Sequence, residues 1–219
     1  MPIVEPTTTP ADSFGAYDIG ALRAPAARIG PNTIIELAHV LRDRYGEHLA
    51  GALLFESTGY ALTALPGAMV DEREAQTFVR LVMTQFGERV GARVLHEAGH
   101  RAAEYLMTHR IPRGTLWVIR TVPARAGLSL LLKAVQANAW TFAGSGELSV
   151  QSHARGADLT FHSCAMCRDL QSDRPVCDFY AGTFEHLVRT LVAPRARVAE
   201  VECQAQGGHC CRFEVTGIK

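Results

Sequence analysis

At 219 residues, with 47% hydrophobic and 20% charged side chains, the chain can bury the core of one large domain, or of one domain with an appended helical layer. Its 22 basic and 22 acidic side chains cancel and aromatics are only 7%, which argues against a nucleic-acid binder with a basic stripe or a stacking platform for bases. The apolar stretches around 49–55 and 128–132 are too short or too interrupted to span a bilayer. The N-terminus carries Glu5, Asp12 and several prolines in place of a basic-then-apolar signal, so a cytoplasmic location is expected. Cysteines in that compartment stay reduced, and the six here read as metal ligands or buried thiols rather than disulfides.

Residues 1–31 hold Pro2, Pro6, Pro10, Pro25 and Pro31 without sustained periodicity, which predicts an extended or flexible arm. Thr33 and Glu36 have the spacing of a capping box, and Ile34, Leu37, Ala38, Leu41 and Tyr45 follow at helical intervals up to Gly46. A second helical segment is expected over 47–55. Asp71 then suits an N-cap for a helix carrying Phe78, Leu81, Val82 and Phe86 and ending at Gly87. The next helix runs from about 90 to 109 and stops before Pro112, and a further apolar segment covers 126–142.

The pattern changes after Gly144-Ser145-Gly146, which reads as a turn into a sheet. Leu148, Val150 and Ser152 alternate with polar neighbours, as do Leu159 and Phe161 beyond Gly156, predicting a hairpin. Phe179, Phe184, Leu187, Val188 and Leu191 mark a helix that ends near Pro194. Strands over 198–203 and 211–215 follow, joined at Gly207-Gly208. The order predicts an α+β fold: a helical part over 32–143, packed on a C-terminal part over 144–219 with an antiparallel sheet and one helix, the two forming one folded unit.

All six cysteines lie at or beyond position 164, and this clustering is the sharpest chemical signal in the chain. Zinc needs about four thiolate, imidazole or carboxylate ligands converging from separate elements. Cys177, Glu200, Cys203 and Cys211 form one candidate set. The Cys164-Ala165-Met166-Cys167 knuckle with two of the later cysteines forms another. A hairpin turning near Gly207 brings Cys203 opposite Cys211 in either case. Residues three apart in a regular strand face opposite sides, so Glu200 can join Cys203 only across a bulge.

His96-Glu97-Ala98-Gly99-His100 matches the zinc-peptidase pattern H-E-x-x-H. The apolar stripe Val94, Leu95, Ala98, Ala102, Tyr105 and Leu106 leaves both histidines about opposite its centre, as surface residues, which speaks against that role. No dinucleotide-binding G-x-G-x-x-G follows a strand, and no phosphate-binding P-loop pattern occurs.

Several of these segments resemble the 4-vinyl reductase domain family. The C-terminal carriers are Cys177-Asp178-Phe179-Tyr180, Thr183-Phe184-Glu185-His186-Leu187, the segment from Val198 to Cys203, and Gln206-Gly207-Gly208-His209-Cys210-Cys211-Arg212-Phe213. Upstream, Ala102-Ala103-Glu104-Tyr105-Leu106, His109-Arg110-Ile111-Pro112 and the segment from Ala139 to Gly146 resemble the J-type branch of bacteriochlorophyll biosynthesis. The resemblance implies a fold similar to haem-based nitric-oxide sensors, with a small-molecule pocket between helices and sheet. It also implies a structural zinc held by Cys177, Glu200, Cys203 and Cys211, which ranks that set above Cys164 and Cys167.

By the same resemblance the ligand is a hydrophobic one, a chlorophyll-type magnesium tetrapyrrole. Trp140 and Phe142 are candidates to line its pocket, with core packing the plainer role for both. His96, His100 and His109 are candidates for its axial ligand. Candidate partners are the tetrapyrrole, pigment-biosynthesis enzymes and a second copy of the chain in a homodimer. Two functions follow from the family: a protein that carries or presents a magnesium porphyrin or (proto)chlorophyllide, or a reductase of the divinyl pigment. Reduction needs a nicotinamide or flavin. The sequence carries no recognisable motif for either, and so favours the carrier.

Overall fold

The computed structural model describes residues 27–218, so most of the expected N-terminal arm lies outside the described residues. At its start, β1 (Arg28–Ile29) pairs antiparallel with β2 (Val70–Asp71). Between them lie α1 (Asn32–Tyr45) and α2 (Glu47–Thr58), separated by Gly46 at φ 88°, a backbone conformation that glycine adopts without a Cβ penalty. The expected capping box does not form. Pro31 already occupies the cap position with no side-chain hydrogen bond, and Thr33 is buried inside the helix.

Asp71 does cap the next helix, accepting the backbone N–H of Arg73 at 2.9 Å. This helix, α3 (Glu72–His109), is broken at Gly87, which takes φ 71° and ψ 165°. After Pro112 comes α4 (Arg113–Thr121), a short helix not expected from the pattern, then α5 (Ala124–Ala137) and a 3-10 turn at Ala139–Thr141. Pro112 and Pro123 each stand at the cap just before a helix, where a missing N–H costs nothing.

The second part is a four-stranded antiparallel sheet with one helix. β3 (Glu147–His153) and β4 (Gly156–His162) form the first hairpin; α6 (Asp178–Leu191) follows; β5 (Arg197–Glu202) and β6 (Cys211–Thr216) form the second. The strand order is β3-β4-β6-β5. Leu159 pairs with Phe213 and Phe161 with Cys211, so these four side chains share the buried face, with Ala157 and Val215 beside them.

That face packs on α6 through aromatic rings. Phe161 stacks on Tyr180 with centroids 4.8 Å apart, Phe213 meets Phe184 edge-on at 5.7 Å, and the Tyr180 hydroxyl donates to the Phe142 carbonyl at 2.7 Å. The interface between α6 and the sheet is therefore filled by ring packing. The opposite side of α6 lies against α3, and α3 also packs on α1 and α2, so one continuous core runs from Ile34 and Leu37 through Leu95 and Ala98 to Phe161 and Phe213. No helix among the described residues is long and apolar enough to cross a membrane.

A buried polar network ties the two parts together. Glu72, the first residue of α3, accepts the Ser145 N–H and the Ser145 hydroxyl, each at 2.7 Å, and pairs with Arg168 Nη1 at 2.7 Å. The Gly144-Ser145-Gly146 turn is thus clamped by a carboxylate that is 4% exposed.

Candidate metal centre and histidine cleft

The cysteine site is assembled by three neighbouring elements. β5 and β6 are in register from Arg197–Thr216 to Glu200–Phe213, and then the register slips so that Glu202 faces Arg212. Val201 is the extra residue of a bulge, the one required for Glu200 to face the same side as Cys203. Glu200 shares the buried face with its partner Phe213, Glu202 turns outward beside Arg212, and Cys203 returns inward, 1% exposed. Cys211 begins β6 on that face. Cys177 immediately precedes α6 and supplies the first carbonyl of the helix, accepting the Ala181 N–H at 3.1 Å.

Cys164 and Cys167 enter from the loop between β4 and α6. Ser163 and Asp169 at its two ends take positive φ, 55° and 61°, which curls the knuckle back toward the sheet. Gln204 anchors it, its Oε1 accepting the Cys164 N–H at 2.6 Å, while the Gln204 N–H points at the Cys211 sulfur at 3.4 Å.

Both candidate ligand sets consequently converge. The Cys167 and Cys211 sulfurs are 3.3 Å apart, Cys164 and Cys177 3.7 Å, Cys177 and Cys211 3.8 Å, and Cys203 and Cys211 3.9 Å. In each set of four, Cys177, Glu200, Cys203, Cys211 or Cys164, Cys167, Cys177, Cys211, the ligand atoms lie within 4.8 Å of one another. Cys177 and Cys211 are common to both. Cys210 stays apart; burial and the neighbouring Glu202 raise its pKa.

The pocket gathers a buried carboxyl and several thiols whose protonation depends on one another. Burial, and then the charge of Cys203, push the Glu200 carboxyl up to about 9. Hydrogen bonds among the sulfurs drive their pKa values apart, raising Cys177 and Cys211 and lowering Cys167. Glu200 Oε2 accepts the Cys177 N–H at 2.8 Å, but its Oε1 is buried without a hydrogen bond among the described residues. A divalent ion would satisfy that oxygen and hold the thiols as thiolates, so the donor set fits zinc.

The H-E-x-x-H segment corrects the surface reading of its histidines. His96 and His100 face α6 and are about one-third exposed, because α3 is buried on two sides: its leucine-valine stripe meets the N-terminal helices, and Gly99 meets α6. The Nε2 atoms of His96 and His100 lie 3.4 and 3.8 Å from Glu185 Oε2. Burial, followed by the charges of His96 and His186, lowers the His100 pKa. Glu97 points elsewhere, held by Arg44 Nε at 2.6 Å and Arg101 Nη2 at 3.0 Å. A peptidase base is not available at Glu97.

His100, His186, Arg189, Thr190 and Pro194 line a cleft of about 390 Å³. The other expected ligand residues are dispersed. Phe142 belongs to the aromatic core, edge-on to Phe161 and Tyr180 at 6.2 Å. Trp140 is 66% exposed and Trp117, on α4, 67%. His109 is exposed near the end of α3 and stacks on Tyr105 at 4.7 Å, with the Arg110 guanidinium over the same ring at 5.8 Å. Sequence reasoning missed Glu185, Arg189 and Trp117. Glu185 and Arg189 lie four apart on α6, a spacing that places them on one face, yet nothing in the sequence indicates that this face meets His96 and His100.

In comparison with known proteins, the V4R domain matches residues 158–217, the stretch that carries most of β4, the cysteine site and α6. The chain is 35% identical over 194 residues to the bacteriochlorophyll synthase 23 kDa chain of Cereibacter sphaeroides, covering 88% of this chain and 92% of that one. It is 31% identical over 198 residues to the protein of the same name from Rhodobacter capsulatus, covering 89% and 91%. Among solved structures, an H-NOX protein from S. oneidensis superposes with a TM-score of 0.57 at 12% identity, over 87% of this chain and 99% of that one. An H-NOX structure solved to probe the function of heme distortion gives a TM-score of 0.57 at 14% identity, over 87% and 96%. At such identities the likeness is one of fold: helices followed by an antiparallel sheet, as the sequence predicts. By its kinship along nearly the whole length of these relatives, the chain belongs to the V4R-domain family of the bacteriochlorophyll synthase 23 kDa chain.

Proposed function

We propose that this protein acts in bacteriochlorophyll biosynthesis, binding a chlorophyll-type magnesium tetrapyrrole and carrying or presenting it to a pigment-biosynthesis enzyme. The observation that carries the reading is the identity of 35% across 92% of the bacteriochlorophyll synthase 23 kDa chain. The surface is compatible with a carrier. Both tryptophans of the chain are about two-thirds exposed, and the ring packing between α6 and the sheet leaves no broad slot there, so a macrocycle would be held near the surface, where it can be handed on. His109 is the candidate axial ligand for the magnesium; Tyr105 offers an aromatic face and Arg110 a cation for a pigment carboxylate.

A structural zinc would be held by Cys177, Glu200, Cys203 and Cys211. The buried Glu200 Oε1, which has no hydrogen bond, favours this set over Cys164, Cys167, Cys177 and Cys211. Four protein ligands close the coordination sphere, so the ion would brace the sheet against the start of α6 and take no part in chemistry.

The test is to incubate purified protein with divinyl protochlorophyllide, with and without NADPH. The carrier reading expects shifted pigment absorption bands, quenched tryptophan fluorescence and no monovinyl product. Multiple turnovers to the monovinyl pigment would establish the reductase instead, and neither binding nor turnover would remove the tetrapyrrole from the reading.

A further inference from the structure

The crossing of α3 and α6 is made by two glycines. A Cβ on Gly99 would stand 2.1 Å from the Phe179 carbonyl oxygen, and one on Gly182 would stand 2.2 Å from the His96 carbonyl oxygen. Backbone therefore lies on backbone, and the side chains flanking the crossing are pressed together. On α3 these are His96 and His100, one helical turn apart on the same edge; on α6 they are Glu185 and His186. The imidazoles of His96 and His100 are 4.7 Å apart between centroids, and those of His100 and His186 4.9 Å.

We propose that His96, His100 and Glu185 form a second metal site, separate from the cysteine centre, that takes a first-row divalent cation and keeps a coordination position open to the adjacent cleft. Donors bonded to one such ion at about 2.0–2.2 Å lie roughly 3–3.5 Å from each other. The Glu185 Oε2 distances of 3.4 Å to His96 and 3.8 Å to His100 are already close to that spacing, and side-chain rotation alone can close the remainder. All three donors lie within 4.8 Å of one another. The Nε2 of His100 is buried and makes no hydrogen bond among the described residues, which is where a ligating lone pair would be kept.

Two imidazoles and one carboxylate suit zinc, cobalt, nickel or ferrous iron, whereas the thiolate cluster selects softer binding. Three protein ligands are one short of a closed tetrahedron. The open side borders the cleft lined by His186, Arg189 and Thr190; His186, whose Nε2 lies 3.7 Å from Glu104 Oε1, stands beside the three donors and not among them. Arg189 gives that cleft a fixed positive charge, so the exchangeable ligand there would be water or a small carboxylate.

The experiment is equilibrium dialysis of the untagged full chain, zinc-loaded at the cysteines, against cobalt(II), with visible spectroscopy. The expected result is one further cobalt per chain showing weak d–d bands without the intense sulfur-to-metal charge transfer of a thiolate site. His100→Ala and Glu185→Gln should each weaken this binding by more than the about tenfold typical of losing an outer-shell partner. Zinc content should stay unchanged in both, which also reports that the variants are folded. His48→Ala, an exposed histidine on α2, should bind as the parent does. Failure of the parent to take up a second ion, or undiminished uptake by zinc-replete His100→Ala and Glu185→Gln, would overturn the site. Neither outcome depends on pigment binding.

Discussion

Glu200 Oε2 accepts the backbone N–H of Cys177 at 2.8 Å, joining the bulged strand β5 to the residue that starts α6. One carboxylate thus orients a candidate ligand while its other oxygen is left for a cation. Glu200→Gln keeps the shape and an acceptor but removes the charge. Zinc affinity should fall at least about tenfold, with the fold retained when zinc is in excess, as read by competition with a chromophoric chelator. Unaltered affinity would move the ion to the four-thiolate set.

Cysteine substitutions separate the two sets directly. Cys203→Ser should lose the ion and lower thermal stability, because ligand loss here is loss of folding free energy. Cys164→Ser should retain it. Cys177→Ser and Cys211→Ser should lose it under either arrangement and serve as positive controls. Elemental analysis of each purified variant decides the matter; retention in Cys203→Ser with loss in Cys164→Ser reverses the assignment.

In the metal-free protein the contribution of Glu200 to stability has an unusual pH dependence. Burial raises the Glu200 carboxyl from its ordinary 4.5 to about 9, so the folded state binds a proton that the unfolded chain has released. The stability this contributes is complete below pH 4.5 and is lost as pH rises through about 9. The advantage of chelator-treated parent over chelator-treated Glu200→Gln, which isolates this carboxyl from the neighbouring thiols, should therefore be larger at pH 5.5 than at pH 8. The zinc form should show the reverse, since protons compete with the ion for its ligands. Urea titrations at the two pH values, with and without zinc, test both signs.

At the helix crossing, Gly99→Ala places a methyl against the Phe179 carbonyl oxygen and the Thr183 nitrogen, backbone atoms that yield only if α6 moves. A cost of about 3 kcal/mol is expected, roughly a 10 °C drop in melting temperature. By contrast Gly46→Ala meets no atom within 4 Å and carries only the strain of its positive φ, a cost of about 1 kcal/mol. Calorimetry on the pair separates crowding from backbone strain.

Glu97→Gln should leave zinc content and cobalt binding as in the parent and reveal no peptidase activity, because both carboxylate oxygens of Glu97 are taken by Arg44 and Arg101 on the surface. A peptidase activity abolished by this substitution would contradict that placement.

What the sequence made legible was local or chemically distinctive. Asp71 and Gly87 bound helical segments where the pattern puts them, and the spacing of Glu200 and Cys203 demanded a bulge that the register at Val201 supplies. Failures came where a distant partner overrides a local pattern. Thr33 and Glu36 have capping-box spacing, but Pro31 starts the helix earlier and tertiary packing buries Thr33. The wheel of α3 assigns one buried stripe, yet the helix is covered on two sides. The second side is signalled only by Gly99 and small neighbours, whose meaning depends on Gly182 more than eighty positions later. The cleft was invisible for the same reason.

Glu72 carries a consequence for how the chain comes into being. Its ion-pair partner Arg168 lies 96 positions downstream, and the α6 face that covers Gly99 comes later still. On the ribosome, the helices of the first half emerge with a carboxylate destined for burial but without its guanidinium, and with a bare glycine seam exposed to solvent. The packing of α1 and α2 on α3 lies within that half, whereas the cover for Glu72 and Gly99 arrives only once the cysteine-bearing knuckle and α6 have left the exit tunnel. The seam at Gly99 and the burial of Glu72 tie completion of the first-made half to the last-made one.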